Sequence, residues 1–285
     1  MLRQIKSKKR GIMTEPLKVI SYGGGVQSTA MIVLATQGLI PGVTDALFSN
    51  VGDDSEYPAT LTFVRDVMTP WAAERGIRVH ELKRTLRNGE VQTLWQRMMK
   101  EESKSIMIPM RGSRTGAPGN RSCTIDHKIQ VVGKWLKKNG ASPTNKATVC
   151  IGISTDEIQR ANNKRSMPYE TPIFPLIDLN LDRTACQQII RDAGLPVPPK
   201  SSCFFCPFHR PLIWSEMRRD EPELFQKAVL LEKTVNDRRA VRDKEPMYLT
   251  RFGLPLEEAC AEAQQTLWSD GQFNDGQCDE GYCWT

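Results

Sequence analysis

Three kinds of residue in this chain could do chemistry: a run of glycines, a scatter of cations and carboxylates, and the cysteines. The glycines stand in 18–30, KVISYGGGVQSTA, where an apolar strand-like run ends at Ser21 and Tyr22 and a helical pattern opens at Gln27, Ser28 and Thr29. Gly23, Gly24 and Gly25 lack Cβ atoms, so a ligand can approach the backbone. The helix start behind them presents unpaired N–H groups with partial positive charge, the conditions for holding phosphate. Eight cysteines without a secretion signal argue for metal or redox chemistry over a disulfide framework. Cys150, Cys186 and Cys260 sit in apolar or helical runs and are expected in the core. Cys123, Cys203, Cys206, Cys278 and Cys283 lie in turn-rich surroundings suited to ligands or nucleophiles.

The elements that must position these groups alternate. Strands are expected over 18–22, 46–50, 78–82 and 147–154, and helices over 26–37, 57–75, 91–103 and 125–138. This alternation predicts an α/β fold with a doubly wound, mostly parallel sheet, in which ligands bind beyond the C-terminal strand ends. The polar stretch 109–122 is expected to be a mobile loop over that site. After 200 the pattern turns to helices, among them 222–237 and 255–267, with a CxxC element and an acidic tail. Three regions are therefore expected: a flexible basic leader (1–16), a nucleotide-binding α/β domain (17–200) and a helical C-terminal region (201–285).

With 285 residues there is ample length for a buried core. No apolar run approaches the roughly 20 residues that span a bilayer, and the leader lacks an apolar signal segment, so a cytoplasmic protein that does not engage a membrane is expected. The net charge of +6 is uneven. Residues 97–138 carry ten Lys/Arg against three acids, whereas 257–285 carry seven acids and no base. A basic middle suits an anionic ligand, either a nucleotide or a nucleic acid.

The glycine run fits neither the Walker P-loop nor the G-x-G-x-x-G fingerprint. It resembles the PP-loop, S-G-G-x-D-S, of the ATP pyrophosphatase superfamily: Gly24, Gly25 and Ser28 match, Gly23 replaces the Ser and Gln27 the Asp. Four further segments, in order, resemble the phosphoadenosine-phosphosulfate (PAPS) reductase-like branch of that superfamily, iron–sulfur type. NVGDDSEYPAT (50–60) is similar to its D-T-G-x-x-F-P-E-T segment, and RSCTIDHK (121–128) to its C-C/C-T-x-x-x-K segment. GISTDEIQRA (152–161) is similar to G-x-R-x-x-E-s-x-x-R-A, with Ser154 where arginine is usual, and SCFFCPF (202–208) to C-x-x-C-P.

The resemblance implies an adenosine nucleotide, ATP with Mg²⁺, on Ser21 to Gly25, Gln27, Ser28, Thr29, Asn50, Asp53, Asp54, Gly152, Asp156 and Glu157. Lys128 and Arg160 would supply cations to phosphate or to a transition state gaining charge, and Asp53, Asp54, Asp156 and Glu157 would hold Mg²⁺ or a ribose. His127 beside Lys128 is expected to have a packing or solvent role. Cys123, Cys203 and Cys206 would hold a [4Fe-4S] cluster through thiolates. Its fourth iron either stays open or is taken by Cys278 or Cys283. A zinc site of Cys203, Cys206, Cys278 and Cys283, or a redox pair in Cys203-x-x-Cys206, are the alternatives.

Three functions follow from the resemblance. One is ATP cleavage between the α- and β-phosphates, adenylating a substrate that sulfur then attacks, with a nucleic acid or small molecule as acceptor and a sulfur or electron donor protein as partner. Another is a sulfonucleotide reductase releasing sulfite, in which Cys283, in a tail similar to that of such enzymes, is the nucleophile. The last is a catalytically silent nucleotide-sensing subunit with a structural metal site.

Overall fold

The computed structural model describes residues 16–162 and 167–266. Residues 1–15 of the leader and the tail that carries Cys278 and Cys283 lie outside the described residues.

The strands are Lys18–Tyr22 (β1), Asp45–Asn50 (β2), Arg78–Lys83 (β3), Arg111–Gly112 (β4), Ala147–Ile151 (β5), Glu170–Ile173 (β6) and Met247–Tyr248 (β7). Five form one parallel sheet in the order β3-β2-β1-β5-β6. Its helices begin with Val26–Thr36 (α1) and a continuous rod of Pro58–Thr62 (α2), a wide π segment Phe63–Met68 and Thr69–Ala73 (α3). Leu94–Met99 (α4) follows. Then Ser122–Thr124 (α5) runs through a second π segment, Ile125–Ile129, into Gln130–Lys138 (α6). Beyond β5 come a 3₁₀ segment, Thr155–Asn162, and then Pro175–Asp178 (α7) and Arg183–Asp192 (α8). The remaining helices are Pro211–Asp220 (α9), Pro222–Ala240 (α10) and Leu256–Thr266 (α11).

Strand burial explains the layering. Every residue of β2 is buried, as expected of a strand covered on both faces. On one face Ile20, Ala46 and Phe48 pack with Met31 and Leu34 of α1, Val64 and Met68 of the rod, and Cys186 and Ile190 of α8. On the other, Val19, Leu47 and Val149 meet Val132 and Leu136 of α6. The chain steps from β1 outward to β2 and β3, then returns to lay β5 on the other side of β1. That reversal leaves a crevice at the C-terminal ends of β1 and β5, where such sheets bind ligands.

A separate core holds the C-terminal helices. Trp214 and Met217 of α9, Phe225, Leu231 and Val235 of α10, and Leu256 pack with Phe204 and Phe205, and with Leu94, Met98 and Met107 to Met110 from the middle of the chain. Residues 109–122, expected as a mobile loop over the cleft, are instead pinned here. Arg111 pairs with Tyr248 and Gly112 with Met247, and Gly119 N donates to Met110 O at 2.8 Å. The helix expected over 91–103 is only α4, because Thr93 and Gln96 form a capping box that fixes its start.

Candidate nucleotide site

The glycine loop is shaped by one turn. Gly24 has φ +78, and a Cβ there would lie 3.0 Å from Thr60 Cγ2 and 3.1 Å from Val64 Cγ2. Gly25 then caps α1, its carbonyl accepting from Thr29 N at 3.0 Å. No acidic residue stands in the first turn of α1, so its N-terminal charge is left for a ligand. The hydroxyl of Ser28 accepts from Gly23 N and donates to Gly25 O, both at 3.2 Å, so it braces the loop. Ser201 Oγ donates to Gly23 O, tying the loop to the segment after α8.

Gly152, first residue beyond β5, closes the other wall. A Cβ there would stand 3.1 Å from Ser28 N and 3.3 Å from Gln27 C, so only glycine lets that wall approach α1 so closely. Between the walls lies a cleft partly open to solvent. Ser21 forms part of its floor, and Ser21 Oγ is buried without a hydrogen-bond partner among the described residues. Lys128, Arg160, Arg183 and Lys200 line it, against one carboxylate, Glu157. Glu157 is fully buried and bonds Arg160 three residues on, which fixes that guanidinium at the cleft. Lys128 comes from the π segment before α6, whose wide turn sets its side chain off the regular helical track.

The cleft thus gathers Ser21, Gly23, Gly25, Gln27, Ser28, Gly152 and Glu157 with Lys128 and Arg160. Other residues expected at the nucleotide are placed elsewhere. Tyr22 and Thr29 are wholly buried, the tyrosine ring against Phe48, and burial raises the Tyr22 hydroxyl above its ordinary value. Asn50 donates to Asp53 at 2.7 Å and to Glu81 at 2.8 Å. Asp53 is also bound by Arg65 and Lys83, each at 2.9 Å; burial opposes ionisation, but these hydrogen bonds hold it down at about 2. Asp54 accepts from Ser55 and Thr93, and Asp156 from Arg183 N. None of these four lines the cleft. The carboxylates proposed for Mg²⁺ are therefore not gathered around the phosphate loop, and the one that is there serves Arg160.

Arg183, Lys200 and Ser201 were not anticipated. Arg183 had a readable signal: Asp182 caps α8, accepting from Ala185 N at 2.7 Å, which sets Arg183 at the helix start, where a cation opposes the dipole. Glu56 has no role that the sequence alone points to. It is 2% exposed, accepts from Val51 N at 3.4 Å, and feels both Lys128 and Cys203, so it lies between the cleft and the cysteines.

Residues 55–57 pair with 202–204 beyond the end of β2: Tyr57 N donates to Ser202 O at 3.0 Å and Phe204 N to Ser55 O at 3.1 Å. This carries Cys203 and Cys206 toward Cys123, whose N–H bonds Met107 O. Burial pushes the Cys203 thiol well above its ordinary value; the Glu56 carboxylate and the other two cysteines add to the rise, against the pull of Lys128. Yet among the described residues no three Cys, His, Asp or Glu side chains stand close enough to hold a metal ion. Cys123, Cys203 and Cys206, expected to hold a cluster, are thus not gathered at ligand distance among the described residues, and the zinc set includes Cys278 and Cys283, which lie outside the described residues. Cys150, Cys186 and Cys260 are buried, with burial raising their thiols to about 11, 12 and 11. His127 is fully buried and held down to about 4, first by burial and then by Arg84 and Arg97.

Among the described residues no helix is long and apolar enough to cross a membrane. No protein-family profile and no curated protein sequence matches the chain. Among solved structures it is similar to the U34-tRNA thiolase NcsA from Methanococcus maripaludis, solved with its [4Fe-4S] cluster. The identity is 16%, over 79% of this chain and 75% of that one, with a TM-score of 0.41.

Proposed function

We propose that the protein is an ATP-using enzyme that cleaves between the α- and β-phosphates, activating an acceptor by adenylation for sulfur transfer. The observation that carries the nucleotide half is the cleft itself: a glycine loop and helix start at the reversal point of a parallel sheet, faced by four cations. Loop amides and the start of α1 would hold phosphate oxygens. Lys128 and Arg160, the latter steadied by Glu157, would offset the charge that grows as the bond breaks. ATP rather than another anion is supported by the order of the GGGVQS, DDSEYPAT, SCTIDHK and GISTDEIQRA segments, and sulfur transfer by SCTIDHK with CFFCP.

Mg²⁺ accompanies ATP in such reactions, but the described cleft offers it no carboxylate besides Glu157, so no step here passes through the metal. Nor does any pass through an iron–sulfur cluster. The cysteines would bring sulfur chemistry to within reach of Lys128, with a nucleic acid or a small molecule as acceptor; the excess of Lys/Arg over 97–138 suits the former.

The test is pyrophosphate release from ATP by protein purified anaerobically, with Mg²⁺ and total tRNA or other nucleic acid added. Release that Lys128→Ala abolishes is expected. Sulfite release from a sulfonucleotide and a thiol donor, with no turnover of ATP, would replace this reading with the reductase.

A further inference from the structure

Gln27 and Arg183 meet across the cleft. Gln27, in the first turn of α1, accepts from Arg183 Nη1 at 3.4 Å, and its amide nitrogen stands 3.5 Å from Ser154 Oγ as donor. Arg183 is the first residue of α8, and its backbone N–H bonds Asp156 Oδ1 at 3.1 Å. Cys186 and Ile190 bury the other side of α8 in the core shared with α1, so the two helix starts are held in fixed relation. A guanidinium therefore sits beside the start of α1, whose partial positive charge no acidic first-turn residue offsets, while Asp156 and Asp182 already face the start of α8; an anion in the cleft would meet both the Arg183 charge and the α1 dipole. The orphaned Ser21 hydroxyl in the floor is a second sign that a polar ligand fills this space.

We infer that Arg183 is a polyphosphate-binding residue of this cleft and that Gln27 sets its specificity by being neutral. The inference rests on the nucleotide reading above and deepens it. Arginine has five N–H donors, and the Gln27 amide engages one of them, orienting the fork without cancelling its charge. A carboxylate at 27 would instead take Arg183 into a charge-assisted pair and set a negative charge at the start of α1, both of which oppose phosphate. With Lys128, Arg160 and Lys200, Arg183 brings the cleft to four cations against one carboxylate, more positive charge than a single phosphate calls for, so the ligand class is a nucleoside triphosphate or its pyrophosphate moiety and not a monophosphate.

The experiment is calorimetric titration of ATP and AMP, with Mg²⁺, into the full chain and three variants. Arg183→Ala is expected to weaken ATP about tenfold and AMP less than twofold, since only a contact to the distal phosphates is lost. Arg183→Lys keeps the charge without the fork and should fall between. Gln27→Asp should weaken ATP about as much as Arg183→Ala, the reverse of what a metal-binding carboxylate would do. The Arg183 side chain is partly exposed, so unchanged melting temperatures are expected for both Arg183 variants. Wild-type protein that binds ATP while Arg183→Ala keeps the same ATP-to-AMP ratio overturns this inference and leaves the nucleotide reading standing. Tighter ATP binding by Gln27→Asp overturns it equally. Wild-type protein that binds neither nucleotide overturns both.

Discussion

The cleft between β1 and β5 and the cysteine neighbourhood beyond β2 both lie past the C-terminal ends of parallel strands, yet among the described residues only the first brings its groups together. Its walls are backbone: Gly24 in a left-handed turn, Gly152 against the first turn of α1, and Ser28 bracing the loop from within. Its cations are long side chains, one of them held by Glu157. The cysteines have an equally firm scaffold in the 55–57 and 202–204 pairing, but their side chains do not converge to ligand distance. The two also differ in charge. Burial, then Glu56 and the other two cysteines, push the Cys203 thiol well above its ordinary value and so favour its protonated form, whereas the cleft is built from amide dipoles and cations.

The hardest test of that contrast is to move a wall. Gly152→Val would push two methyl groups into Ser28 N and Gln27, backbone that cannot give without shifting α1. A loss of about 3 kcal/mol in urea-midpoint stability is expected, together with loss of measurable ATP binding. A variant that binds ATP normally would show that the cleft is not fixed by backbone.

The second test lies in the cysteine half. Glu232 of α10 accepts from Leu249 N at 2.6 Å and Leu256 N at 2.7 Å, yet burial pushes its carboxyl up to about 7. The ordinary value is 4.5, so between these the folded chain holds a proton that the unfolded chain has released. This contribution is therefore complete below pH 4.5 and is lost as pH rises through 7, up to about 3 kcal/mol in all. Urea unfolding of wild type against Glu232→Gln at pH 5 and 7.5 should show the slope in the former and its absence in the latter. Parallel slopes would mean that the C-terminal core does not keep this carboxyl neutral.

How much of this was legible depends on the range of the interaction. β1 and β2 are short local runs rich in apolar residues, and the expected bounds of β1, β2 and β3 agree with the strands within a residue. β5 ends at Ile151 rather than 154 because Gly152 leaves the sheet to meet α1, a partner over a hundred residues away in sequence. In the same way Asp53 and Asp54 read as ligands since their captors, Arg65, Lys83 and Thr93, are distant in the chain. Arg183 was missed for the opposite reason: its cap was readable, but nothing local says that α8 lies against α1. Capping by Thr93 and Gln96, a spacing of three, was fully readable and would have shortened the helix placed over 91–103.

Two smaller effects separate cleft residues from their neighbours. Lys128→Ala removes a cation from the cleft wall and should cost about 2 kcal/mol in ATP binding, as read by the same titration. Equal ATP affinity would mean that Lys128 serves Glu56 and the cysteines instead.

Asp53→Ala should do least. Its carboxylate is half exposed and shared among Arg65, Lys83 and Asn50, and surface pairs of this kind contribute under about 1 kcal/mol. Arg65 keeps Glu81 as a partner at 2.7 Å, so the network persists without Asp53. ATP affinity within twofold of wild type is therefore expected. A tenfold loss would place a strand-end carboxylate of β2 at the ligand, and the boundary between the preformed cleft and the region beyond β2 would have to be redrawn through Asp53.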